Sequence, residues 1–300
     1  MSLIKNHQGI ALIQVLIISI ILTMLGIYIN QTVRSQINVV GQMKSAFELS
    51  LQLEDSEAEL LHYLLTNKHY TKPNSEDPLL QKWNFYGKPF LLSENTTVII
   101  QDQSGLLGLN IINSTLATNV IAELGFSGHE VRTFVDSLAD WKDKDDLKRL
   151  NGAENDYYRQ SQLIGPRNAY LQTLEEVINI KQANILTMEQ WQTYFTEEII
   201  SNFNPLNAPE KILKAFINNE RGYEEIIKLR AEKALTGYSF YQATGIDSDE
   251  YISFSTGQIL KVTIMVQEQS NKLSKSFIVD LRPNSFSRPV IISKLMWNIM

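Results

Sequence analysis

Ile10–Ile29 reads IALIQVLIISIILTMLGIYI, twenty residues without a formal charge, directly behind the polar leader Met1–Gly9 (MSLIKNHQG). At about 1.5 Å of rise per residue such a helix spans about 30 Å, the hydrocarbon thickness of a bilayer. A secretory signal peptide would carry a small-residue cleavage site behind its apolar region. None follows here: the chain runs on through Gln31, Thr32 and Arg34. The span is therefore expected to stay attached to what lies downstream, as it also would in a plain single-pass anchor. Flanking charge is nearly balanced, with Lys5 before the span and Arg34 and Lys44 after it. A short leader is nonetheless easier to leave in the cytoplasm than the rest of the chain.

Beyond the span the helical pattern continues. Val33, Ile37, Val40, Phe47, Leu51, Ala58, Leu61 and Leu65 recur at helical spacing, and no proline occurs before Pro73. This predicts one helix from Ile10 to about Thr66, near 85 Å long, its outer half laying that stripe on a globular domain. A break near Gly41 is the alternative. Thr71–Pro78 (TKPNSEDP) then reads as a polar link. Lys88–Leu92 and Thr97–Gln101 read as strands, and Asp102–Gly105 as the turn that follows.

From Ser114 to about Thr236 the pattern is helical, with helices predicted at Thr115–Leu124, His129–Trp141, Leu171–Ile180, Met188–Phe195, Pro209–Ile217 and Tyr223–Lys233. Strand character returns at Tyr251–Phe254, Ile259–Val266 and Ser276–Leu281, with a polar hairpin at Gln267–Lys272 and an edge strand at Val290–Met296. The order predicts an α+β fold: a long N-terminal helix on a small antiparallel sheet, with an all-α segment inserted between strands.

Composition narrows the function classes. The chain has 300 residues, net charge −6 and no cysteine, which removes disulfides, thiolate catalysis and a general electrostatic attraction to nucleic acid. His7, His62, His69 and His129 fall in no metal-ligand spacing, and neither a Gly-x-Ser-x-Gly elbow nor a glycine-rich phosphate loop is present. Ser127, in GFSG, reads as a helix start rather than a nucleophile. Asn204–Lys233 faintly resembles a helix-hairpin-helix DNA module, but Glu210–Lys233 holds six basic against five acidic residues, which leaves no phosphate footprint. Trp141, Tyr157, Tyr158 and Trp191 read as packing residues rather than partner anchors. No enzymatic activity is expected.

One constellation carries site chemistry. Asp136–Asp156 contains seven acidic and four basic residues, with Asp140, Asp143, Asp145, Asp146, Glu154 and Asp156 crowded into a loop. Clustered carboxylates repel unless something positive lies between them, as a hard, oxygen-liganded cation would. Asp143–Glu154 has the twelve-residue length of an EF-hand loop, but Leu147 and Lys148 stand where a ligand and a turn glycine belong. A solvated charge cluster, with Lys142, Lys144, Lys148 and Arg149 as partners, is the alternative.

Taken together, these stretches resemble the K-type minor pseudopilins of type II secretion. The leader ending at Gly9 ahead of an apolar helix resembles the class III signal cut by prepilin peptidase. Gln101–Asn110 (QDQSGLLGLN), Asp140–Tyr157 (DWKDKDDLKRLNGAENDY) and Asn204–Leu213 (NPLNAPEKIL) resemble three further family segments. The resemblance implies cleavage after Gly9, methylation of Ile10, and a pilin-like fold divided as follows: leader 1–9, transmembrane helix 10–29, a pilin-like domain in two parts (30–113 and 237–300), and an inserted helical domain 114–236.

It further implies one or two structural calcium ions held by Asp140, Asp143, Asp145, Asp146, Glu154 and Asp156, together with main-chain oxygens. The implied partners are the I-type and J-type minor pseudopilins, prepilin peptidase and the inner-membrane secretion platform. The implied location is the bacterial inner membrane, single-pass, with the bulk periplasmic and the assembled subunit at the filament tip. Gln14 would be the fifth mature residue, where most pilins carry glutamate; a subunit with no neighbour above it has no terminal amine to neutralise. A minor pilin of a type IV or competence pilus shares the leader and long helix. A single-pass membrane-anchored sensor or binding protein would keep its leader.

Overall fold

The computed structural model describes residues 8–268, 271–282 and 284–299. The expected leader residues Met1–His7 and the tip of the 267–272 hairpin lie outside them. Helix α1 (Gln8–Thr66) is unbroken through Gly41, and it includes Gly9 and Ile10. Its most apolar window has mean hydropathy 2.6, and none of that window is buried in the protein. The hydroxyls of Ser19 and Thr23 within the span, and of Thr32 just beyond it, donate to carbonyls four residues back at 2.9, 2.8 and 3.0 Å. These bonds satisfy the side-chain polar groups inside the helix, as an apolar medium requires.

A five-stranded antiparallel sheet packs on the outer half of α1 in the order β1 (Phe90–Ser93), β2 (Thr96–Asp102), β5 (Ile259–Glu268), β6 (Asn271–Leu281), β7 (Val290–Ile299). Its inward positions Val98, Ile100, Leu260, Val262, Ile264 and Val266 are fully buried. They meet Leu49, Leu53, Leu60 and Leu64 of α1, with Trp83 and Phe85 closing the same core beside the short helix α2 (Pro78–Lys82).

The expected α1 stripe is corrected by this contact. Val33, Ile37, Val40, Phe47 and Leu51 are 46%, 64%, 64%, 63% and 50% exposed; Ala58 is also exposed, and Leu61 and Leu65 lie at the margin. Among the described residues the sheet's contact with α1 reaches down to Ser45, whose Oγ accepts a 3.2 Å bond from Asn271 Nδ2, and above it the sheet covers the face of Leu49 and Leu53 rather than that of Phe47 and Leu51. Higher up, buried Lys275 of β6 selects the face by pairing with Glu54 at 2.9 Å and Glu57 at 2.5 Å. Burial works against the Lys275 charge, but the two carboxylates outweigh it and raise the ammonium's pKa.

The chain leaves β2 at Asp102 and returns at β5, where Asp102 faces Leu260 in register. Between them lie β3 (Leu107–Gly108), α3 (Ser114–Glu123), α4 (Gly128–Lys142), α5 (Asn155–Gln160), α6 (Met188–Tyr194), β4 (Phe195–Thr196), α7 (Glu210–Ile217), α8 (Glu220–Ala231) and α9 (Gly237–Thr244). Strands β3 and β4 form a short parallel pair. Phe134, Trp141, Tyr158, Trp191 and Phe195 build a core separate from that of the sheet. Tyr157 alone of the four expected packing aromatics is exposed, at 39%.

This block sits at the end of α1 remote from the apolar span. Ser45 marks the hairpin end of the sheet, whereas Thr256, just before β5, donates a 2.5 Å bond to the His69 carbonyl beyond the α1 C-terminus.

Two expected elements differ. Leu171–Ile180 holds only a 3-10 turn, Leu174–Asn179. Tyr251–Phe254 forms a single bridge, Ile252 to Phe203, because Asp249 Oδ1 captures the Tyr251 and Ile252 N–H groups at 2.7 Å each. Helices α2, α5 and α9 are additional; α9 packs Phe240 with α8 residue Ile226.

The junction between block and sheet is a hydrogen-bonded hub. Fully buried Asp102 accepts the Ser104 N–H at 2.9 Å on Oδ1; on Oδ2 it accepts Asn204 Nδ2 at 3.2 Å, Asn207 Nδ2 at 2.8 Å and the Gly257 N–H at 3.1 Å. Four donors can hold a buried carboxylate that lacks a countercharge. Gly105 belongs to the same joint: a Cβ there would overlap the Asn207 carbonyl. Asn110 fastens the next turn by bonding the Leu171 backbone at both ends and the Glu197 carbonyl.

Candidate metal centre

Helix α4 starts with a capping box, Ser127 with Glu130, and its last turn carries Asp140 and Lys142 before Asp143 caps the end. Carboxylates at a helix C-terminus face the negative end of the macrodipole, so this placement calls for a compensating cation. Arg149 supplies one. Its Nη1 donates to Asp140 Oδ1 at 2.6 Å and Asp143 Oδ2 at 2.5 Å, and its backbone N–H reaches both Asp140 oxygens at 3.3 and 3.2 Å. Asp143 first and Asp140 second raise the guanidinium's pKa. Gly152 lets the loop close on this pair, because a Cβ there would overlap Asp140 Oδ2. Asn151 bonds Asp136 through its N–H at 3.1 Å and its Nδ2 at 2.9 Å. Lys181 Nζ holds the Asn151 and Gly152 carbonyls at 3.2 and 3.1 Å.

Glu154 is left without compensation. It is 6% exposed, and neither Oε1 nor Oε2 has a hydrogen-bond partner; Asp143 Oδ1 is likewise buried and unpartnered. Burial, then the charges of Asp140, Asp143, Asp146 and Asp145, push the Glu154 carboxyl up to about 7. Lys142 does not relieve it: its Nζ donates to the Leu109 and Asn110 carbonyls at 2.5 and 3.1 Å, and burial brings its pKa down to about 8.

The structure therefore brings Asp140 and Asp143 together through Arg149 and adds Glu154 to their field. Asp145 stands in solvent, its Oδ1 accepting the Leu147 N–H at 2.9 Å. Asp146 and Asp156 are exposed. Among the described residues no three carboxylates or imidazoles form a finished metal cage. Of the four basic residues in the loop, Arg149 alone pairs with these acids among the described residues. The orphaned oxygens of Glu154 and Asp143, all hard donors in a field short of positive charge, fit a calcium ion. Arg149 was among the basic partners read from the sequence, and of those it alone pairs here; Gly152 is the contributor that composition did not single out, and the Asn-Gly turn at 151–152 was the available signal.

Residues 111–196, which contain this loop, match the model of the family described as type II secretion system (T2SS), protein K. The fold matches a chain of the GspK-GspI-GspJ complex from the enterotoxigenic Escherichia coli type 2 secretion system, with TM-score 0.56 and 12% identity over 86% of this chain and 98% of that one. At that identity the likeness concerns the fold. No curated protein matches the chain. The family is that of a structural secretion component, and helix α1 is compatible with a single-pass membrane anchor. The chain is thus similar to the type II secretion system protein K family across the acidic loop, and to a chain of the GspK-GspI-GspJ complex in fold along most of its length.

Proposed function

We propose that the chain is a minor pseudopilin that joins I-type and J-type minor pseudopilins at the tip of the type II pseudopilus, initiating and capping the filament that exports folded periplasmic proteins. The observation that carries this is the position of the helical block: it lies beyond the C-terminal end of α1, away from the apolar span. In a filament of stacked long helices, that end is where the next subunit would rest, and a block of helices there leaves it no seat. Binding and assembly are the whole mechanism; no turnover is involved. The bulk of the chain is periplasmic, α1 is held by the inner membrane, and the secretion platform incorporates it.

Calcium belongs to this reading as a structural ion held by the unpartnered oxygens of Asp143 and Glu154, with Asp140, Asp145, Asp146 and Asp156 as further candidate donors from the same loop. It supplies the positive charge that Glu154 lacks and orders a loop with little core of its own. Prepilin peptidase removes Met1–Gly9, and Ile10 is methylated. Intact mass of the membrane-extracted protein tests the reading, using cells with and without active peptidase. A chain starting at Ile10 and one methyl heavier, seen only with the peptidase, is expected. The full leader in both strains would overturn the proposal and leave an ordinary anchored protein.

A further inference from the structure

A cleft of about 930 Å3 opens between the segment that follows α1 and the start of α9, and neither the acidic loop nor the capping role makes use of it. Lys68, His69, Lys72, Lys82, Arg230 and Lys233 all line it, and no carboxylate does. That is an unusual concentration of positive charge in a chain whose net charge is −6.

Arg230 is its deepest cation, 8% exposed. The guanidinium stacks over the Tyr86 ring at 4.6 Å, and Nη2 donates to the Pro205 and Leu206 carbonyls at 3.4 and 3.0 Å. Its Nε has no partner, and among the described residues no carboxylate forms an ion pair with it. Burial works against the charge, and Tyr86, Glu210 and Tyr223 offset only part of that penalty. A buried cation left in this condition is costly until a counterion arrives. Lys233, just past the end of α8, adds a second cation to the same cleft.

The shape narrows the ligand. The volume suits a ligand far larger than one anion. The cations come from two stretches of chain, 68–82 and 230–233, and Tyr70, Tyr86, Leu235 and Phe254 line the cleft with them. A lone phosphate would leave most of this volume and its apolar lining uncovered; cations mixed with apolar surface suit carboxylates spaced along a chain that also carries apolar side chains. We infer that this cleft binds an extended acidic segment of a partner polypeptide, one carboxylate reaching Arg230 and others meeting Lys72, Lys82 and Lys233. The inference does not depend on the proposed place of the chain in a filament.

Fluorescence anisotropy on the full chain in dodecyl maltoside tests it, with a fluorescein-labelled peptide of alternating Glu and Leu as the probe. The same peptide with Gln for Glu is the neutral control, and inorganic phosphate is the competing small anion. The acidic peptide should bind at least tenfold tighter than the neutral one, and more weakly as salt is raised. Lys72→Gln with Lys233→Gln, a pair at the mouth of the cleft, should weaken it at least tenfold with an unchanged melting temperature. Arg230→Met should do the same, and the surface pair stands in if that variant does not fold. Equal binding of the two peptides, or unchanged binding by the surface pair, would overturn the inference. So would phosphate binding without peptide binding, which would make the cleft a small-anion site.

Discussion

Glu154 is the residue whose charge the fold does least to accommodate, and the consequence is a dependence of stability on pH. Its carboxyl titrates near 4.5 when unperturbed and at about 7 in the fold. Between those values the folded chain holds a proton that the unfolded chain has released, so stability falls as pH rises through that window and is level above it. Other carboxylates titrate nearby, so the comparison with Glu154→Gln isolates the effect. In EGTA, the melting temperature of the parent relative to Glu154→Gln should drop between pH 5 and pH 7.5. Calcium added at pH 7.5 should raise the parent's melting temperature and raise that of the variant much less. A constant difference between the two proteins across that range would show that Glu154 carries no uncompensated charge. The crowding of the acids was legible in the sequence, because Asp140–Asp156 is compositionally extreme. Which oxygen is paired was not: the bonds from Arg149 to Asp140 and Asp143 exist only once Gly152 lets the loop fold back.

At the scale of the element, α1 shows how far periodicity can go. Its extent was legible, since no proline interrupts a helix before Asn67. Its buried face was not, because apolar residues occur around much of its circumference and only the sheet decides which of them are covered. Leu53 is fully buried, whereas Phe47 is 63% exposed. Leu53→Ala should therefore destabilise the detergent-solubilised full chain by about 3 kcal/mol. Phe47→Ala should change its stability by less than about 0.5 kcal/mol. Urea unfolding followed by tryptophan fluorescence reads the difference, since Trp83 lies in the same core as Leu53. A Phe47→Ala cost equal to that of Leu53→Ala would restore the stripe read from spacing alone. The strands followed the opposite course. Alternation placed β2, β5 and β6 within a few residues, while the Tyr251–Phe254 run was lost to one aspartate that bonds its N–H groups locally. Helix α5, NDYYRQ, was missed because six largely polar residues carry no apolar period.

At the scale of the whole molecule, the block leaves and re-enters the frame at one point, while its side chains also meet the frame elsewhere, as Glu197 and Glu198 do with Lys294 of β7. Asp102 and Leu260 face each other in register across antiparallel strands, so everything from Gln103 to Ile259 leaves and re-enters the sheet at one point. An Asn-Gly turn is the natural two-residue closure for such a pair. Replacing Gln103–Ile259 by Asn-Gly, with Asp102→Thr to remove a carboxylate that has lost its donors, should leave α1 and the five strands folded. The Leu53–Val262–Ile264 core stays intact in that variant, and the Lys275 pairs with Glu54 and Glu57 remain in place. Circular dichroism of the solubilised variant should show a cooperative transition, and membrane fractionation should recover it with the inner membrane. Secretion in cells lacking the parent chain should nevertheless fail, because the end of α1 would again be open to a stacked subunit. If the folded, membrane-inserted variant restored secretion to the parent's level, the block would not be the cap and its position beyond α1 would have another cause. Loss of secretion with loss of folding is set aside by the circular dichroism, so the deletion distinguishes a missing cap from a missing frame.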